Sequence, residues 1–392
     1  MNSVSYPSMI VLGATGSVGL QAVDVAIKHG ARVDALSANR SVGKTEELIR
    51  ALKPKACAMA DESSAADLAV RVKDLSVKIY AGSDGISEMI ADTNSDCERQ
   101  VVLNSILGQA GLAPTMATLQ AGKQLALANK ESLVVAGELV MPLAKQQGID
   151  ILPVDSEHCA IYQCLRSGNA KEIKRIMLTA SGGPFYGYSR EQLKGVTLQN
   201  TLAHPTWNMG AKITVDSASM MNKGFEVIEA VHLFGVKPEQ VEVTVHRESI
   251  IHSAVEYIDN NVIAQLSVPD MRSCVQYALT HPYRADAAIE QLDWFKLGKL
   301  TFGRPDLETF TLLKLAFDCI GKGGALPAVL NAANEVCVAA FLQEKLCFSG
   351  IMDTVGAVVA DLQEASTSHT LEEILGYDKA ARELAAKYLQ KQ

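Results

Sequence analysis

The sequence predicts an α/β protein in three parts: an N-terminal domain with a parallel sheet, a central α+β domain and a C-terminal helical bundle. Three features lead to this prediction. Strand-like and helical runs alternate over residues 1–150, mixed α and β patterns follow over residues 151–284, and helical periodicity fills residues 309–392. With 392 residues, the chain exceeds the roughly 250–300 residues at which one hydrophobic core stops growing, so several domains are expected.

In the N-terminal part, short apolar runs typical of strands are separated by amphipathic segments such as VGKTEELIRAL. The runs are MIVLGA, ARVDALSA, KACAMA, KIYAG, VVLNSI and QLALAN. Helices between successive strands act as crossover connections, which make neighbouring strands parallel. Residues 1–150 are therefore expected to form βαβ units around a parallel sheet.

The remaining chain changes texture after residue 150. The runs RIMLTASG, VEVTVHRESIIHSAVEYI and VIAQLSV alternate as strands do, whereas ASMMNKGFEVIEAVHLFG has helical periodicity. Residues 285–308 mix Pro, Gly, Asp and isolated aromatics without a period, and we interpret them as a connector. Four helical patterns follow, the last opened by the capping box Thr370-x-x-Glu373.

Composition excludes several classes of partner. The formal net charge of −8 argues against nucleic acid and anionic membrane surfaces, because both need an excess of Lys and Arg. The chain has no uncharged apolar run of about 18 residues, the length expected of a membrane span, and no recognisable targeting segment. Its eight cysteines form no CxxC pair, which favours reduced thiols in a cytoplasmic protein.

A glycine-rich turn follows the first strand-like run. It reads Gly13-Ala-Thr-Gly16-Ser-Val-Gly19 and opens an amphipathic helix. Glycines in this context let a backbone approach a pyrophosphate at a helix N-terminus, which favours a Rossmann-like dinucleotide-binding domain. A glycine-rich turn in an unrelated α/β protein is the alternative.

The residues after the second strand-like run indicate which dinucleotide. Where an NAD-binding chain places an acidic residue, this chain has Ser37-Ala38-Asn39-Arg40-Ser41. Arg40 can pair with a 2′-phosphate, so the sequence predicts NADPH rather than NADH. Arg40 as a solvated loop charge is the alternative.

Two carboxylates, Asp155 and Glu157, follow the apolar run IDILPV. An extended backbone would point both to the same face, and two adjacent carboxylates repel unless a cation lies between them. Oxygen ligands suit Mg²⁺ or Mn²⁺ better than zinc. A solvated strand edge would also explain the pair.

A second constellation runs from Asp216 to Glu226. We expect a helix that begins with capping residues at Asp216-Ser217, with Asn222 and Glu226 on one face. Hydroxyls, an amide and Lys223 near a helix start form an anion site, and the carboxylate one turn later could join a metal. The alternative is an exposed capped helix with a Lys–Glu pair.

Three shorter segments carry further candidates. The tight turn Ser181-Gly182-Gly183-Pro184 could hold a phosphate. Residues 204–210, HPTWNMG, suit a lid over a ligand. The segment Asn129-Lys130-Glu131 follows a strand, where an open α/β sheet has its ligand crevice. Ordinary turns, buried aromatics and surface charges explain such segments as well.

Taken together, these motifs resemble the 1-deoxy-D-xylulose-5-phosphate reductoisomerase family. The similarity runs through GATGSVG, LANKESLV, LPVDSEH, ASGGPF, HPTWNMGAKITVDSASMMNKGFEVIEA, SIIHSAVEY and LNAANEV. It implies a homodimer that converts 1-deoxy-D-xylulose 5-phosphate to 2-C-methyl-D-erythritol 4-phosphate, with NADPH and Mg²⁺ or Mn²⁺. It also implies a cofactor domain at 1–150, a catalytic domain at 151–284 and a helical domain at 309–392.

The resemblance assigns residues to each site. The implied metal ligands are Asp155, Glu157 and Glu226. The implied cofactor residues are Thr15, Gly16, Ser17, Val18, Ala38, Asn39, Arg40, Asn129, Glu131 and Gly210. The implied substrate residues are Lys130, Ser156, Glu157, Ser181, His204, Ser217, Asn222, Lys223 and Glu226, with Trp207 and Met209 in the lid. Lys130, Glu157 and His204 are the expected catalytic residues.

The chain departs from the family at two places. It reads His246-Arg247-Glu248 where members often have His-Pro-Gln, and Phe225 stands where Leu is frequent. Neither departure is expected to touch a predicted ligand residue.

The chemistry that the resemblance implies is a skeletal rearrangement followed by reduction, and a retro-aldol and aldol route is favoured over a concerted shift. Two other functions are considered: an ordinary NADP-dependent dehydrogenase, for which the carboxylates and phosphate pocket would be superfluous, and a non-catalytic NADPH-sensing module.

Overall fold

The structure, a computed structural model, describes residues 6–207 and 209–390. Their chain divides into two compact units. The first runs to Ser132 and adds Val140–Cys159 and Asp270–Glu290. The second comprises Leu133–Leu139, Ala160–Pro269 and the chain from Gln291 onward.

The first unit contains a parallel sheet, as predicted. In the described part of this unit its strands are β1 (Ser8–Leu12), β2 (Val33–Ala38), β3 (Ala56–Met59), β4 (Lys78–Ala81), β5 (Gln100–Asn104), β6 (Gln124–Leu127) and β7 (Leu152–Pro153). Their order is β4-β3-β2-β1-β5-β6-β7, with parallel pairing throughout. The order reverses between β1 and β5, which is where an open sheet has its ligand crevice.

The second unit contains a smaller sheet. Its described strands are β8 (Ile173–Ala180), β9 (Val241–Val245), β10 (Ile251–Tyr257) and β11 (Val262–Leu266), in the order β11-β10-β8-β9. The β8–β9 pair is parallel and the other pairs are antiparallel. This mixture of strands and helices confirms the α+β character predicted for the central chain.

The helices alternate with the strands in the N-terminal chain and dominate after residue 309. They are α1 (Ser17–His29), α2 (Val42–Leu52), α3 (Glu62–Arg71), α4 (Gly82–Asp92), α5 (Leu112–Gln120), α6 (Glu131–Gln146), α7 (Ser156–Cys164), α8 (Arg190–Leu193), α9 (Leu198–Leu202), α10 (Ala211–Ala218), α11 (Met221–Phe234), α12 (Arg272–Thr280), α13 (Trp294–Leu297), α14 (Thr311–Lys322), α15 (Leu326–Leu342), α16 (Phe348–Asp361) and α17 (Leu371–Leu389).

The C-terminal helices α14 to α17 pack against one another, which confirms the predicted helical bundle. Thr370 caps α17: its hydroxyl accepts a hydrogen bond from the Glu373 amide, and the Glu373 side chain accepts one from the Thr370 amide. The predicted capping box is therefore confirmed.

Strands β1, β2 and β3 are buried at every residue, so both faces of the sheet are covered there, whereas the edge strand β4 is partly exposed. Ile10, Leu12 and Val102 are fully buried, and Met89 and Ile90 of α4 pack into the same cluster. Among the helices that the structure describes, none combines the length and the apolar composition needed to cross a bilayer.

Candidate active site

The glycine turn lies between β1 and α1, at the point where the strand order reverses. Gly13 has a φ of +78°, and a Cβ there would lie 2.9 Å from the Ser105 carbonyl oxygen, just beyond β5. A Cβ on Gly19 would lie 2.2 Å from the Gly13 carbonyl oxygen. Gly16 is the N-cap of α1 and has no side chain, so the cap residue itself makes no side-chain hydrogen bond to the amides of the first turn. This glycine cradle at a helix N-terminus fits a pyrophosphate.

Arg40 lies in the loop after β2, and its side chain is 79% exposed. Its Nε donates a 3.2 Å hydrogen bond to Asp61 Oδ2. Asp61 follows β3 and caps α3 by accepting from the Ser64 amide at 2.9 Å. Hydrogen bonds from Ser63 and Ser64 lower the pKa of Asp61, and Arg40 adds to the effect. Sequence reasoning missed this carboxylate, because it comes from the end of a neighbouring strand.

The segment after β6 is largely buried. Asn129 and Glu131 are 2% and 5% exposed. The Asn129 Nδ2 donates to the carbonyl oxygens of Ile106 and Gly108, at 2.7 and 2.9 Å, and to Glu131 Oε2 at 2.9 Å. Asn129 therefore ties the end of β6 to the loop after β5, on the edge of the sheet that carries the glycine turn.

The geometry predicted for the DxE pair was wrong in one respect. Asp155 and Glu157 do not share an extended strand, because α7 begins at Ser156. The Asp155 Oδ1 accepts from the amides of Glu157 and His158, at 3.1 and 3.3 Å, and so caps this helix. Glu157 lies in the first turn, where Ser156 Oγ donates to its carboxylate. Capping, rather than strand alternation, places these carboxylates.

Lys130 is a cation that the structure places beside Asp155. Its Nζ lies 3.2 Å from Asp155 Oδ2, and the two side chains are 9% and 13% exposed. Lys130 as a surface charge is therefore excluded. With Oδ1 engaged by backbone amides and Oδ2 by Lys130 Nζ, the Asp155 side chain is held in a fixed orientation.

The predicted start of the second helix was also wrong. Asp216 and Ser217 lie in the last turn of α10, and α11 begins only at Met221, after Met220 with a φ of +63°. The left-handed residue breaks the helix, so the hydroxyl of Ser217 and the side chains of α11 belong to different elements.

The face predicted for α11 is confirmed. The Asn222 Nδ2 donates a 2.5 Å hydrogen bond to Glu226 Oε1. Lys223 Nζ pairs with Glu226 Oε2, and these two residues are 4% and 1% exposed. An exposed Lys–Glu pair is therefore excluded, since both charges are buried.

His204 lies between two of the predicted phosphate ligands. Its Nε2 is 3.0 Å from Ser181 Oγ and 3.2 Å from Ser217 Oγ. Its Nδ1 accepts from the amides of Thr206 and Trp207, at 3.2 and 3.0 Å. Because Nδ1 is an acceptor, the neutral ring carries its proton on Nε2 and donates toward the serines. Burial, with a smaller effect of Arg247, lowers the pKa of His204 to about 4.

The residues predicted for the lid lie in the loop between α9 and α10. Trp207 and Met209 are half-buried, and the Trp207 ring lies 6.1 Å from the His252 ring. Asn208 is outside the described residues. Gly210, predicted for the cofactor site, is exposed and precedes α10 as its N-cap.

One residue was missed in the second unit. Arg247 Nη1 donates to the carbonyl oxygens of Ser181 and Gly183, at 2.7 and 2.5 Å. The expectation that the His246–Glu248 departure touches no predicted ligand residue was therefore wrong. In the sequence, this contact was indicated only by an arginine at a position where the family that the chain resembles often has proline.

The predicted residues thus form local groups within each unit. The first unit carries the glycine turn, Arg40, Asn129 to Glu131, and Asp155 to Glu157. The second unit carries Ser181, His204 and Ser217 around one imidazole, and Asn222, Lys223 and Glu226 on one helix face.

Comparisons with known proteins cover most of the chain. Residues 9–137 match the family model of 1-deoxy-D-xylulose 5-phosphate reductoisomerase. Residues 151–234 match the reductoisomerase C-terminal domain, and residues 266–384 match a further DXP reductoisomerase C-terminal domain.

Several relatives and solved structures match this chain over nearly its whole length and nearly the whole of their own. The Bacteroides fragilis 1-deoxy-D-xylulose 5-phosphate reductoisomerase is 45% identical, covering 99% of this chain and 100% of its own. That of Chlorobium chlorochromatii is 48% identical, covering 97% and 99%. A crystal structure of DOX-P reductoisomerase in complex with NADPH, fosmidomycin and magnesium has a TM-score of 0.93 at 39% identity, covering 98% of each chain. The Zymomonas mobilis enzyme in complex with NADPH has a TM-score of 0.91 at 40% identity, covering 99% and 100%. This chain belongs to the 1-deoxy-D-xylulose 5-phosphate reductoisomerase family.

Proposed function

We propose that this chain converts 1-deoxy-D-xylulose 5-phosphate and NADPH, with one proton, to 2-C-methyl-D-erythritol 4-phosphate and NADP⁺. The observation that carries this proposal is the match to one enzyme family over nearly the full chain, including structures with NADPH and with magnesium. The product belongs to isoprenoid biosynthesis. A plain dehydrogenase would leave the phosphate ligands and acidic residues without a purpose.

The glycine cradle supports an NADPH site in the first unit. We assign to it Thr15, Gly16, Ser17, Val18, Ala38, Asn39, Arg40, Asn129 and Glu131, with Gly210 as a further contact. Thr15, Ser17 and Val18 supply backbone amides at the start of α1, the Gly16 amide donates to the Gly13 carbonyl oxygen, and Arg40 supplies the charge for a 2′-phosphate.

The donor set supports a divalent cation. Asp155, Glu157 and Glu226 offer carboxylate oxygens only, which fit Mg²⁺ or Mn²⁺ better than zinc. When bound, the cation supplies electrostatic stabilisation for charge that develops on substrate oxygens, and NADPH supplies the hydride.

The side chains of this chain bind and orient the substrate. Ser181, Ser217, Asn222 and Lys223 are proposed to hold the phosphate, which gives binding energy for positioning. His204 donates from Nε2 within the same group and, with Trp207 and Met209, excludes water as part of a lid. Ser156 contacts the substrate beside the carboxylates.

Lys130 and Glu157 are proposed to move protons during the rearrangement. Lys130 lies 3.2 Å from Asp155 in a largely buried position, so its ammonium group is held close to the acidic residues. Glu157 receives a hydrogen bond from Ser156, which fixes its orientation. The rearrangement we favour is retro-aldol cleavage followed by aldol re-addition.

Domain roles, assembly and location follow the same reasoning. We propose cofactor binding in 1–150, catalysis in 151–284, a connector at 285–308 and a helical domain at 309–392. A homodimer is supported by the outer strand β11, whose Val262 and Ile263 are 49% and 38% exposed. A cytoplasmic location is supported by free cysteines, six of them buried.

The test is NADPH oxidation with 1-deoxy-D-xylulose 5-phosphate, with and without Mg²⁺ or Mn²⁺. Metal-dependent turnover to the branched product is expected. Folded protein without such turnover would exclude the reductoisomerase. Glu226→Gln should lose metal-dependent turnover, whereas Glu239→Gln, at an exposed position, should keep it. Full activity and metal affinity in the Glu226 variant would remove this residue from the ligand set.

A further inference from the structure

Arg247 lies in the turn between β9 and β10, and its guanidinium reaches the turn that follows β8. Nη1 donates to the carbonyl oxygen of Ser181 at 2.7 Å and to that of Gly183 at 2.5 Å. Both protons of Nη1 are therefore used. Among the residues that the structure describes, Nε and Nη2 of Arg247 have no hydrogen-bond partner, so they remain available for an anion.

The turn that Arg247 contacts has positive φ values and is closely packed. Gly182 and Gly183 have φ values of +76° and +65°, a left-handed region that other residues rarely adopt. A Cβ on Gly183 would lie 2.7 Å from the Ser217 carbonyl oxygen. The turn therefore packs directly on the end of α10, where Ser217 projects its hydroxyl, and a shift of the turn would separate Ser181 from Ser217.

An aromatic ring lies close to the guanidinium of Arg247. Its Cζ lies 5.6 Å from the centre of the Tyr186 ring. A cation over an aromatic face is attracted by the ring quadrupole, which restricts where the guanidinium lies. The charge of Arg247 also acts on His204: burial is the larger cause of the lowered pKa of His204, and Arg247 is the smaller one. Arg247 thus places a fixed positive charge beside the group formed by Ser181, His204 and Ser217.

We propose that Arg247 is a positioning residue of the phosphate site, which orients the Ser181–Gly183 turn through its two carbonyls and contributes positive charge to the bound phosphate. This inference rests on the proposed function. It assigns a role at a place where this chain departs from the common pattern of the family it resembles. A proline at this position has no guanidinium and could not make these contacts.

The experiment compares Arg247→Gln and Arg247→Lys with the parent, and Glu248→Gln serves as the neighbouring control. In Arg247→Gln, KM for the phosphorylated substrate should rise about tenfold or more, the usual effect of losing hydrogen bonds from a charged group. KM for NADPH and the thermal midpoint should stay close to the parent's. Arg247→Lys should recover much of the loss, because it keeps the charge. The increase of KM with added salt should be weaker in Arg247→Gln.

A second readout separates charge from support of the backbone. Proton NMR of the imidazole should show a higher pKa for His204 in Arg247→Gln than in Arg247→Lys. Should the glutamine variant fail to fold, Arg247→Met, which also removes the charge, takes its place: a raised substrate KM in Arg247→Met supports the inference, and the parental KM overturns it.

Two outcomes distinguish this inference from the proposed function. A parent enzyme without turnover would remove the proposed function, and the phosphate site with it. An active parent with an unchanged substrate KM and salt response in Arg247→Gln would overturn the role of Arg247 alone. Equal loss in the glutamine and lysine variants, together with lower thermal midpoints in both, would also overturn it, because that pattern indicates structural support only.

Discussion

Asn334, on α15, donates a 2.7 Å hydrogen bond from Nδ2 to Oδ1 of Asp216, in the last turn of α10. Both residues are buried, at 0% and 2% exposure. The other oxygen of Asp216 lies 3.2 Å from Lys212 Nζ. Since Asp216 directly precedes Ser217, the helical bundle helps to orient the end of the helix that carries a proposed phosphate ligand.

Asn334→Ala should therefore affect both stability and substrate binding. Loss of a hydrogen bond to a buried carboxylate should lower the free energy of unfolding by about 1–3 kcal/mol, measured by urea denaturation. It should also raise KM for the phosphorylated substrate. Asn331→Ala is the control, because Asn331 is equally buried on the same helix and donates to Glu335 at 3.3 Å. Equal KM changes in the two variants would contradict this coupling.

Arg40 and Asp61 should set the preference for NADPH in opposite directions. Arg40→Ala should reduce kcat/KM with NADPH and leave that with NADH nearly unchanged. Asp61→Asn keeps a residue suited to cap α3 but removes the charge that competes for Arg40, so kcat/KM with NADPH should rise by about twofold to fivefold. Asp67→Asn, which disturbs an exposed pair with Arg71 on the same helix, is the control. An unchanged cofactor preference in Arg40→Ala would show that Arg40 does not read the 2′-phosphate.

Gly19→Ala should disrupt the cofactor turn. The added methyl group would lie 2.2 Å from the Gly13 carbonyl oxygen, so the turn must shift. We expect a loss of stability of about 1–3 kcal/mol and weaker NADPH binding, measured by fluorescence titration. Gly43→Ala, in α2 with nothing within 4 Å of the new Cβ, should bind NADPH like the parent. NADPH affinity at the parental level in Gly19→Ala would refute a role for close packing in this turn.

His204 should remain neutral well below neutral pH. Its pKa is lowered from 6.5 to about 4, so between these values the unfolded chain binds a proton that the folded chain does not. The contribution of His204 to stability is therefore complete above the unfolded pKa and is lost as pH falls through 6.5 toward 4. Urea denaturation at about pH 7 and pH 5 should show that the free energy of unfolding falls more between these pH values in the parent than in His204→Gln. His369→Gln, at an exposed position, is the control, and its free energy of unfolding should fall between these pH values by as much as the parent's.

The fold was predictable from the sequence because its signals are local. Each strand of the first unit is a short apolar run, and the turns between strands and helices carry glycine or capping residues. The glycine turn also indicates its place in the fold, since such a turn follows the first strand of a dinucleotide-binding sheet. The capping box at Thr370 is local for the same reason.

The site was predicted in its residues but only partly in its geometry. Aspartate after an apolar run is compatible with an extended strand and with a helix cap, so Asp155 could not be assigned from spacing. The contacts of Arg247 with Ser181 and of Asn334 with Asp216 join residues 66 and 118 positions apart. The hydrophobic periodicity of the sequence does not predict such contacts, because they depend on how separate helices and strands pack.

The cap formed by Asp155 has a consequence for how its variants behave. Removing this carboxylate takes away an oxygen donor and at the same time releases two amides at the start of α7, the turn that carries Glu157. The losses caused by Asp155→Ala and Glu157→Ala should therefore not add in the double variant. The Asp155 side chain therefore both stabilises the start of α7 and is a proposed metal ligand. A substitution of Asp155 is limited by the stability of the helix as well as by the reaction.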